Sequence, residues 1–262
     1  MRRYEAPWAW ALLALGLLGS GLGCATIGGG RDPGESARKA ASHLSVGGDH
    51  LANGRGALAL REFLAAERLD PKNASVQYAL GDAYLAQRKR VEAEQHLRRA
   101  LELFPAYHDA RLSLSALLLM QKRYDETIPE CDRLVDDPTF TAPWRALTNR
   151  AWAEYKLGRV EQARDTLALA REYRQNYWPA MLALAILEGE TGRRLEAIRL
   201  FQDIIAVGPG ASVESEVNYR IAEVYVALGK RREAMGHLST SVARAPDSQW
   251  AKKSQEYLRR LH

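Results

Sequence analysis

This 262-residue chain has few cysteines, few aromatic residues and only a small net charge, and each of these features excludes a class of protein. Its two cysteines, Cys24 and Cys131, are too few for a disulfide framework or a cysteine-only zinc site. Aromatic residues make up 8% of the chain, and leucine and alanine dominate the apolar set, which favours helices over strands. The net charge of +5 comes from 37 basic and 32 acidic residues, an excess too small to indicate nucleic-acid binding by itself.

The N-terminal residues have the three-part layout of a secretory signal. Arg2 and Arg3 precede an uncharged apolar run at residues 8–18, and small residues at 19–23 lead to Cys24. An apolar run of this length is shorter than a membrane-spanning helix needs. The layout predicts a signal peptide at residues 1–23. An uncleaved N-terminal anchor, as in a cytoplasmic or inner-membrane adaptor, is the alternative.

Residues 21–24, GLGC, resemble the lipobox of bacterial lipoproteins, with Gly21 at a position that usually holds leucine. The resemblance implies that the Cys24 thiol is the lipidation site, and acyl chains hold a protein stably in a bilayer. Ala25 follows rather than the aspartate that retains many such lipoproteins at the inner membrane. The resemblance therefore implies the outer membrane, on its periplasmic face. The Gly-rich stretch after Cys24 predicts a flexible tether over residues 24–39.

Helical signals recur along the rest of the chain at a nearly fixed period. A small residue near the start of every second helix recurs at steps of 34, 34, 36, 34 and 37 residues. The aligned residues are Ala59, Ala93, Thr127, Ala163, Ala197 and Ala234. Four prolines lie 12 residues after four of them, where a proline ring ends a helix: Pro71, Pro105, Pro209 and Pro246. A 34-residue helix–turn–helix period is the signature of tetratricopeptide repeats.

This period predicts an all-α fold. We expect a right-handed α-solenoid of six tetratricopeptide helix–turn–helix units over residues 40–248, closed by an amphipathic capping helix over residues 249–262. The units begin near Ala40, Ala74, His108, Trp144, Trp178 and Ser215. Small residues such as Gly81 and Ala93 let the helices approach, and large ones such as Leu97 fill the space beside them.

The chain contains histidine, cysteine and carboxylate residues, but they do not form the sequence motifs of known catalytic sites. No histidine stands at a metal-ligand spacing from a carboxylate or cysteine, and no phosphate-binding loop or nucleophile elbow occurs. For His43 and His50 on one helix, surface or packing roles are preferred to a metal site. Cys131 stands where Phe63 and Leu97 stand in other units, so a small buried hydrophobe is preferred to a reactive thiol. We expect no catalytic residue, cofactor, metal, small-molecule substrate or nucleic-acid partner.

The first helices of stacked units line a concave face. At the positions that line it in tetratricopeptide domains, this chain carries mainly apolar and aromatic residues with few charges. The predicted partner-binding groove consists of Leu44, Leu51, Tyr78, Leu85, Leu112, Leu119, Met120, Trp152, Tyr155, Leu182, Ile186 and Tyr219. Packing between helices is the alternative role for some of them. Such surface is typical of protein-binding sites, so we expect an apolar or amphipathic protein segment in it.

A basic residue stands at the inter-helix turn of every unit. These residues are Arg55, Lys89, Arg123, Arg159, Arg193 and Lys230. Cations beside helix C-termini are favourable by themselves, which is the preferred explanation. An edge that faces anionic lipid or an acidic partner is the alternative.

The stretch at residues 121–163, QKRYDETIPECDRLVDDPTFTAPWRALTNRAWAEYKLGRVEQA, includes an extra loop at residues 136–143. It resembles the type IV pilus pilotins of the PilF/PilW/Tgl family, and the lipobox, tether and six repeats extend this resemblance over the whole chain. The resemblance implies a non-enzymatic outer-membrane lipoprotein that binds secretin subunits and promotes secretin localisation and assembly for type IV pilus biogenesis. We expect the first three units to carry most of the contact. A general periplasmic scaffold lipoprotein for cell-wall enzymes or outer-membrane protein assembly is the alternative.

Overall fold

A computed structural model describes residues 33–261, and within that range the chain forms thirteen α-helices and no strand. The helices are α1 (Pro33–Ala52), α2 (Gly56–Leu69), α3 (Ala74–Ala86), α4 (Arg90–Leu103), α5 (His108–Met120), α6 (Tyr124–Val135), α7 (Pro143–Lys156), α8 (Val160–Tyr173), α9 (Trp178–Glu190), α10 (Arg194–Val207), α11 (Ala211–Ala227), α12 (Arg231–Arg244) and α13 (Gln249–Leu261). The all-α prediction is confirmed.

Twelve of these helices pair as helix–turn–helix units, from α1–α2 to α11–α12. The two helices of a unit pack on each other, and the second helix also contacts the first helix of the next unit. Because every unit rests on its neighbours in the same way, the units stack into a solenoid. The predicted six-unit solenoid is confirmed. The last helix, α13, starts at Gln249 as the capping-helix prediction has it, and packs against α11 and α12.

The N-terminal boundary differs from the sequence-based expectation. Helix α1 begins at Pro33, seven residues before the predicted start of the first unit at Ala40. Residues 33–39 are therefore helical, and the tether prediction is wrong for them. Proline fits the first turn of a helix, and an ion pair between Glu35 and Lys39 spans one turn. The predicted signal peptide, Cys24 and the remainder of the tether lie outside the described residues.

Small residues hold the helix crossings, as the repeat pattern predicts. The six aligned residues from Ala59 to Ala234 are completely buried, Thr127 included. A Cβ on Gly81 would lie 2.8 Å from Leu97 Cγ, so the crossing in the second unit has no room for a methyl group. The tight approach of each helix pair thus fixes the residue type at these positions.

Gly47 and Gly48 are neighbours in α1 and test the crossing of the first unit. A Cβ on Gly47 would lie 2.3 Å from Phe63 Cε1, whereas a Cβ on Gly48 has no atom within 4 Å. Alanine is favoured over glycine in a helix by about 0.5–1 kcal/mol. We expect Gly48→Ala to raise the free energy of unfolding by that amount. Gly47→Ala must displace the Phe63 ring and should lower it by roughly 1–3 kcal/mol. Urea denaturation measures both, and equal effects would contradict the packing of Phe63 against Gly47.

The buried apolar residues form clusters of unequal size along the solenoid. One cluster of 20 buried residues runs without interruption from Leu147 to Val224, through the fourth, fifth and sixth units. The first three units instead contain separate clusters of 7, 7 and 5 buried residues. A further cluster of three buried residues, Ala222, Ala234 and Leu238, lies in the sixth unit. The C-terminal half therefore has one large core and a small terminal cluster, and the N-terminal half has three separate clusters of similar size.

The loop between α6 and α7 adds an apolar residue to the third unit. Phe140 of this loop is buried in one cluster with Leu112, Cys131, Leu134 and Ala146. Cys131 is smaller than the Phe63 and Leu97 of the corresponding positions, and Leu112 and Phe140 supply apolar bulk around it. Leu112 is only 5% exposed, so its prediction as a groove residue is wrong. The repeat pattern does not specify the path of an inserted loop and therefore could not reveal this cover.

Asp137 holds the same loop in place. Its carboxylate accepts hydrogen bonds from the Thr139 hydroxyl and backbone N–H, and it lies 2.8 Å from His108 Nε2. These bonds, those from Thr139 first, lower the pKa of Asp137 to about 2. The loop that covers Leu112 is thus tied to the start of α5 through His108.

Candidate protein-binding groove

The first helices of the units form a continuous row along one face of the solenoid. Each odd-numbered helix from α1 to α9 contacts the next odd-numbered helix, and α13 continues the row after α11. In a solenoid of helix pairs this row lines the concave face. Recesses lie along it between α1 and α3, between α9 and α11, and between α11 and α13.

The N-terminal recess, between α1 and α3, brings together three predicted groove residues: Leu44, Leu51 and Tyr78. Gly48 and Phe63 also line it, and the Tyr107 ring lies 5.1 Å from the Tyr78 ring, centroid to centroid. Its volume is about 290 Å³. This is the lower end of the size range of small-ligand pockets, and the walls are mainly apolar.

Asp82 adds a carboxylate to this recess. The Ser113 hydroxyl donates to Asp82 Oδ1 at 3.2 Å, and burial raises the pKa of the Asp82 carboxyl. Burial also raises the pKa values of the Tyr78 and Tyr107 hydroxyls, and the nearby charge of Asp82 contributes to both. The recess therefore combines apolar walls with a desolvated negative charge.

Aromatic residues dominate the middle of the concave face. The Trp152 and Tyr155 rings lie 6.1 Å apart on α7, and Lys156 Nζ lies 5.7 Å and 4.7 Å from their centroids. The Tyr155 hydroxyl donates to Glu190 on α9. On α5, Met120 is 51% exposed and Leu119 is half-buried. These side chains present apolar surface to solvent at the centre of the row.

The C-terminal end of the concave face is more charged than expected. Tyr219 lies between the rings of Trp250 and Tyr257 of α13, at centroid distances of 5.2 Å and 6.3 Å. The recess beside it is otherwise lined by Glu223, Lys253, Glu256 and Arg260. The recess between α9 and α11 likewise joins apolar residues to Glu190, Arg194, Arg220 and Glu223. The expectation of few charges is therefore wrong for this end.

Ten of the twelve predicted groove residues remain at least partly exposed. The exceptions are Leu112 and Ile186, which is 9% exposed but still lines the recess between α9 and α11. Sequence reasoning left Asp82, Glu190 and Glu223 out of the groove. Counted from the first residue of each unit, Asp82 and Glu223 stand at the ninth position and Glu190 at the thirteenth. Both positions line the concave face in tetratricopeptide domains, so the repeat pattern itself could have identified these residues.

Cys131 and several of the histidines that could carry chemistry are buried or hydrogen-bonded within the fold. Cys131 is fully buried, and burial raises the pKa of its thiol to about 12, which opposes a reactive thiolate. His43 lies 2.8 Å from Glu62, His96 bonds Gln77 and His237 bonds Asn218, each between the two helices of one unit. Across residues 33–261, no group of three or more potential metal ligands occurs. No helix within those residues is long and apolar enough to cross a bilayer.

The basic row lies at the six turns, where each member is the N-cap residue of a second helix: Arg55, Lys89, Arg123, Arg159, Arg193 and Lys230. Five of them contact groups of the protein itself. Arg123 contacts the carboxylates of Glu94 and Glu126, Arg159 contacts that of Asp125, and Arg193 contacts that of Glu188. Lys89 and Lys230 lie over tyrosine rings. These contacts favour the structural explanation over a dedicated anionic surface.

Comparison with known proteins identifies the repeats. Tetratricopeptide-repeat models match residues 47–107, 78–140 and 216–248. These ranges cover the second and third helix pairs and most of the first and sixth. No curated protein matches the chain in sequence.

Solved structures share the fold over most of this chain. PilW, described as a widely conserved type IV pilus biogenesis factor, is 19% identical, with a TM-score of 0.72 over 82% of this chain and 97% of PilW. Pseudomonas aeruginosa PilF is 16% identical, with a TM-score of 0.67 over 85% of this chain and 99% of PilF. A tetratricopeptide protein from Parabacteroides merdae is 14% identical, with a TM-score of 0.69 over 85% and 84%. The chain is a tetratricopeptide solenoid that resembles PilW and PilF in fold.

Proposed function

We propose that this chain is an outer-membrane lipoprotein that acts as a pilotin. Its concave face binds secretin subunits and promotes their localisation and assembly for type IV pilus biogenesis. One observation carries the proposal: the chain has the fold of two pilus proteins, PilW and PilF, over nearly their whole lengths. An open groove with accessible aromatic residues supports it, because tyrosine and tryptophan are frequent anchors at protein interfaces.

The chain acts by binding rather than by catalysis in this proposal. The groove offers apolar recesses and paired charges, and the Cys131 thiol is fully buried in α6, where burial raises its pKa. The histidines His43, His96 and His237 bridge helices within their own units. An open apolar groove of this kind suits the temporary shielding of an apolar segment before a partner assembles.

Loss of the gene tests the proposal directly. Deletion is expected to remove assembled secretin rings from the outer-membrane fraction, and re-expression of the full chain should restore them. The level of an unrelated outer-membrane β-barrel protein is the control. Full-length protein in detergent should also capture the secretin from envelope extracts. Unchanged secretin rings after deletion, with capture of cell-wall enzymes instead, would favour the general scaffold function.

Replacement of Cys24 tests the lipid anchor, and the chain supplies its own control in its second cysteine. Cys24→Ser removes the thiol that the acyl chains need, so we expect the protein to leave the outer-membrane fraction. Cys131→Ala removes a buried thiol and should leave the protein with the outer membrane. Separation of inner and outer membranes and immunoblotting measure both. Retention of Cys24→Ser in the outer-membrane fraction would contradict the lipid anchor.

A further inference from the structure

The N-terminal recess is a part of the concave face that the protein's own side chains leave open. Leu44, Leu51 and Tyr78 form its half-buried walls. Gly48 also lines it, and a Cβ on this residue would meet no atom within 4 Å. The space above Gly48 can therefore receive a large apolar side chain from another polypeptide, which would remove the apolar walls from water.

Two carboxylates stand beside this space without a direct ionic partner. Asp82 lines the recess, and Asp109 is an exposed residue in the first turn of α5, two positions after the lining residue Tyr107. Its charge, after burial, contributes to the raised pKa of Asp82. Within residues 33–261, neither of them forms an ion pair within 4 Å. Asp82 instead accepts a hydrogen bond from the Ser113 hydroxyl, and the charge of Arg145 also acts on it. This end of the groove therefore carries an excess of negative charge.

The charges elsewhere on the concave face are compensated within the protein. Glu223 and Glu216 both lie within 4 Å of Arg220, at 3.3 Å and 3.6 Å. Arg260 pairs with Glu256 on α13. Glu190 bonds the Tyr155 hydroxyl, and its recess is also lined by Arg194 and Arg220. An incoming cation would compete with existing partners at these sites. In the described part of the chain, no lysine or arginine lines the N-terminal recess, and the charge of Arg145 reaches Asp82 only from beyond 4 Å.

Resting on the proposed function, we propose that the bound segment is basic and amphipathic: it places a large apolar side chain in the N-terminal recess and a lysine or arginine beside Asp82 and Asp109. A partly buried carboxylate that has only hydroxyl partners gains a charge-assisted hydrogen bond from such a cation. A segment with a carboxylate at the same position would be repelled. The pairing thus selects the register and the sequence of the partner segment.

The test uses the full-length protein in detergent and three short fluorescent peptides with one helical pattern. The first peptide has leucine at the apolar positions and lysine at the charged positions. The second has leucine and glutamate at these positions, and the third has serine and lysine. We expect the leucine–lysine peptide to bind about tenfold more tightly than either of the others. Fluorescence anisotropy measures the affinities, and added salt should weaken the binding of the leucine–lysine peptide most.

Variants locate the binding. Gly48→Phe fills the recess and should weaken binding of the leucine–lysine peptide about tenfold or more, with Gly48→Leu as a second variant. Asp82→Asn combined with Asp109→Asn should remove the preference for lysine over glutamate. Glu102→Gln, at an exposed carboxylate on α4, is the matched control and should change nothing. Thermal unfolding shows that each variant used is folded.

Each outcome decides the inference. Equal affinity for the lysine and glutamate peptides, no binding of any peptide, or binding that a folded Gly48→Phe protein retains would overturn it. Self-association that Gly48→Phe abolishes would assign the recess to a second copy of the chain and would also overturn it. The secretin fractionation experiment is separate, so the pilotin proposal can fail while the charge preference holds, and the reverse.

Discussion

Leu119→Glu combined with Met120→Glu is expected to remove assembled secretin from the outer-membrane fraction as fully as deletion of the gene. Both residues lie at the C-terminal end of α5, at the centre of the concave face, and Met120 is 51% exposed. Two carboxylates there would have to be desolvated when an apolar segment binds. We expect a loss of affinity of about 100-fold, the effect of removing two interface anchors. Capture of the secretin from envelope extracts measures the loss.

A matched variant separates the groove from exposed apolar surface in general. Val91 and Leu195 are 67% and 73% exposed at the starts of α4 and α10, the second helices of their units. Val91→Glu combined with Leu195→Glu introduces the same two charges away from the groove and should leave secretin assembly unchanged. Helix content, measured by circular dichroism, should remain normal in both double variants. Normal assembly with the Leu119 and Met120 variant would move the binding site off the concave face.

The largest effect on stability is expected from Glu130→Ala. Glu130 and Arg111 form an ion pair at 2.5 Å between α5 and α6, and their side chains are only 12% and 13% exposed. Removal of one partner leaves the other charge buried without compensation, which costs about 3–5 kcal/mol. Arg111 keeps a bond to the Pro105 carbonyl, so we expect a loss of roughly 3 kcal/mol in the free energy of unfolding. Urea denaturation measures it.

An exposed pair on a neighbouring helix is the control. Arg99 and Glu102 lie 2.8 Å apart on α4, but their side chains are 47% and 63% exposed. Glu102→Ala should change the free energy of unfolding by less than about 1 kcal/mol, because water screens such pairs. A cost of Glu130→Ala as small as that of Glu102→Ala would show that the α5–α6 ion pair does not support the third unit.

Comparable polar bridges recur in other units. They join residues 19 positions apart in the first and second helices: His43 with Glu62, Gln77 with His96, Arg111 with Glu130 and Asn218 with His237. This regularity is hard to see in the sequence because the residue types differ from unit to unit, although the spacing of 19 residues is constant. A search for complementary polar pairs at one fixed spacing would have found it.

The repeats could be predicted because the same steric demand is met again in each unit. Buried small residues such as Ala93 and the tight contact of Gly81 with Leu97 leave few residue types that fit, so the pattern survives in the sequence. The cover over Leu112 depends on Phe140, in a loop outside the period. The start of α1 was missed because the Gly-rich stretch before Pro33 concealed a proline-initiated helix. Structural features that recur in every repeat could be predicted from the sequence. Features that depend on a single tertiary contact could not.

The divided core of the first three units has a mechanical consequence. In a linear array each unit is stabilised by its own core and by the interfaces with its neighbours, so local opening need not spread through the whole molecule. The cluster from Leu147 to Val224 joins the fourth, fifth and sixth units in one core, while the smaller clusters before it favour local opening of single helix pairs. The N-terminal recess thus lies in the half of the solenoid where we expect one helix pair to open without its neighbours.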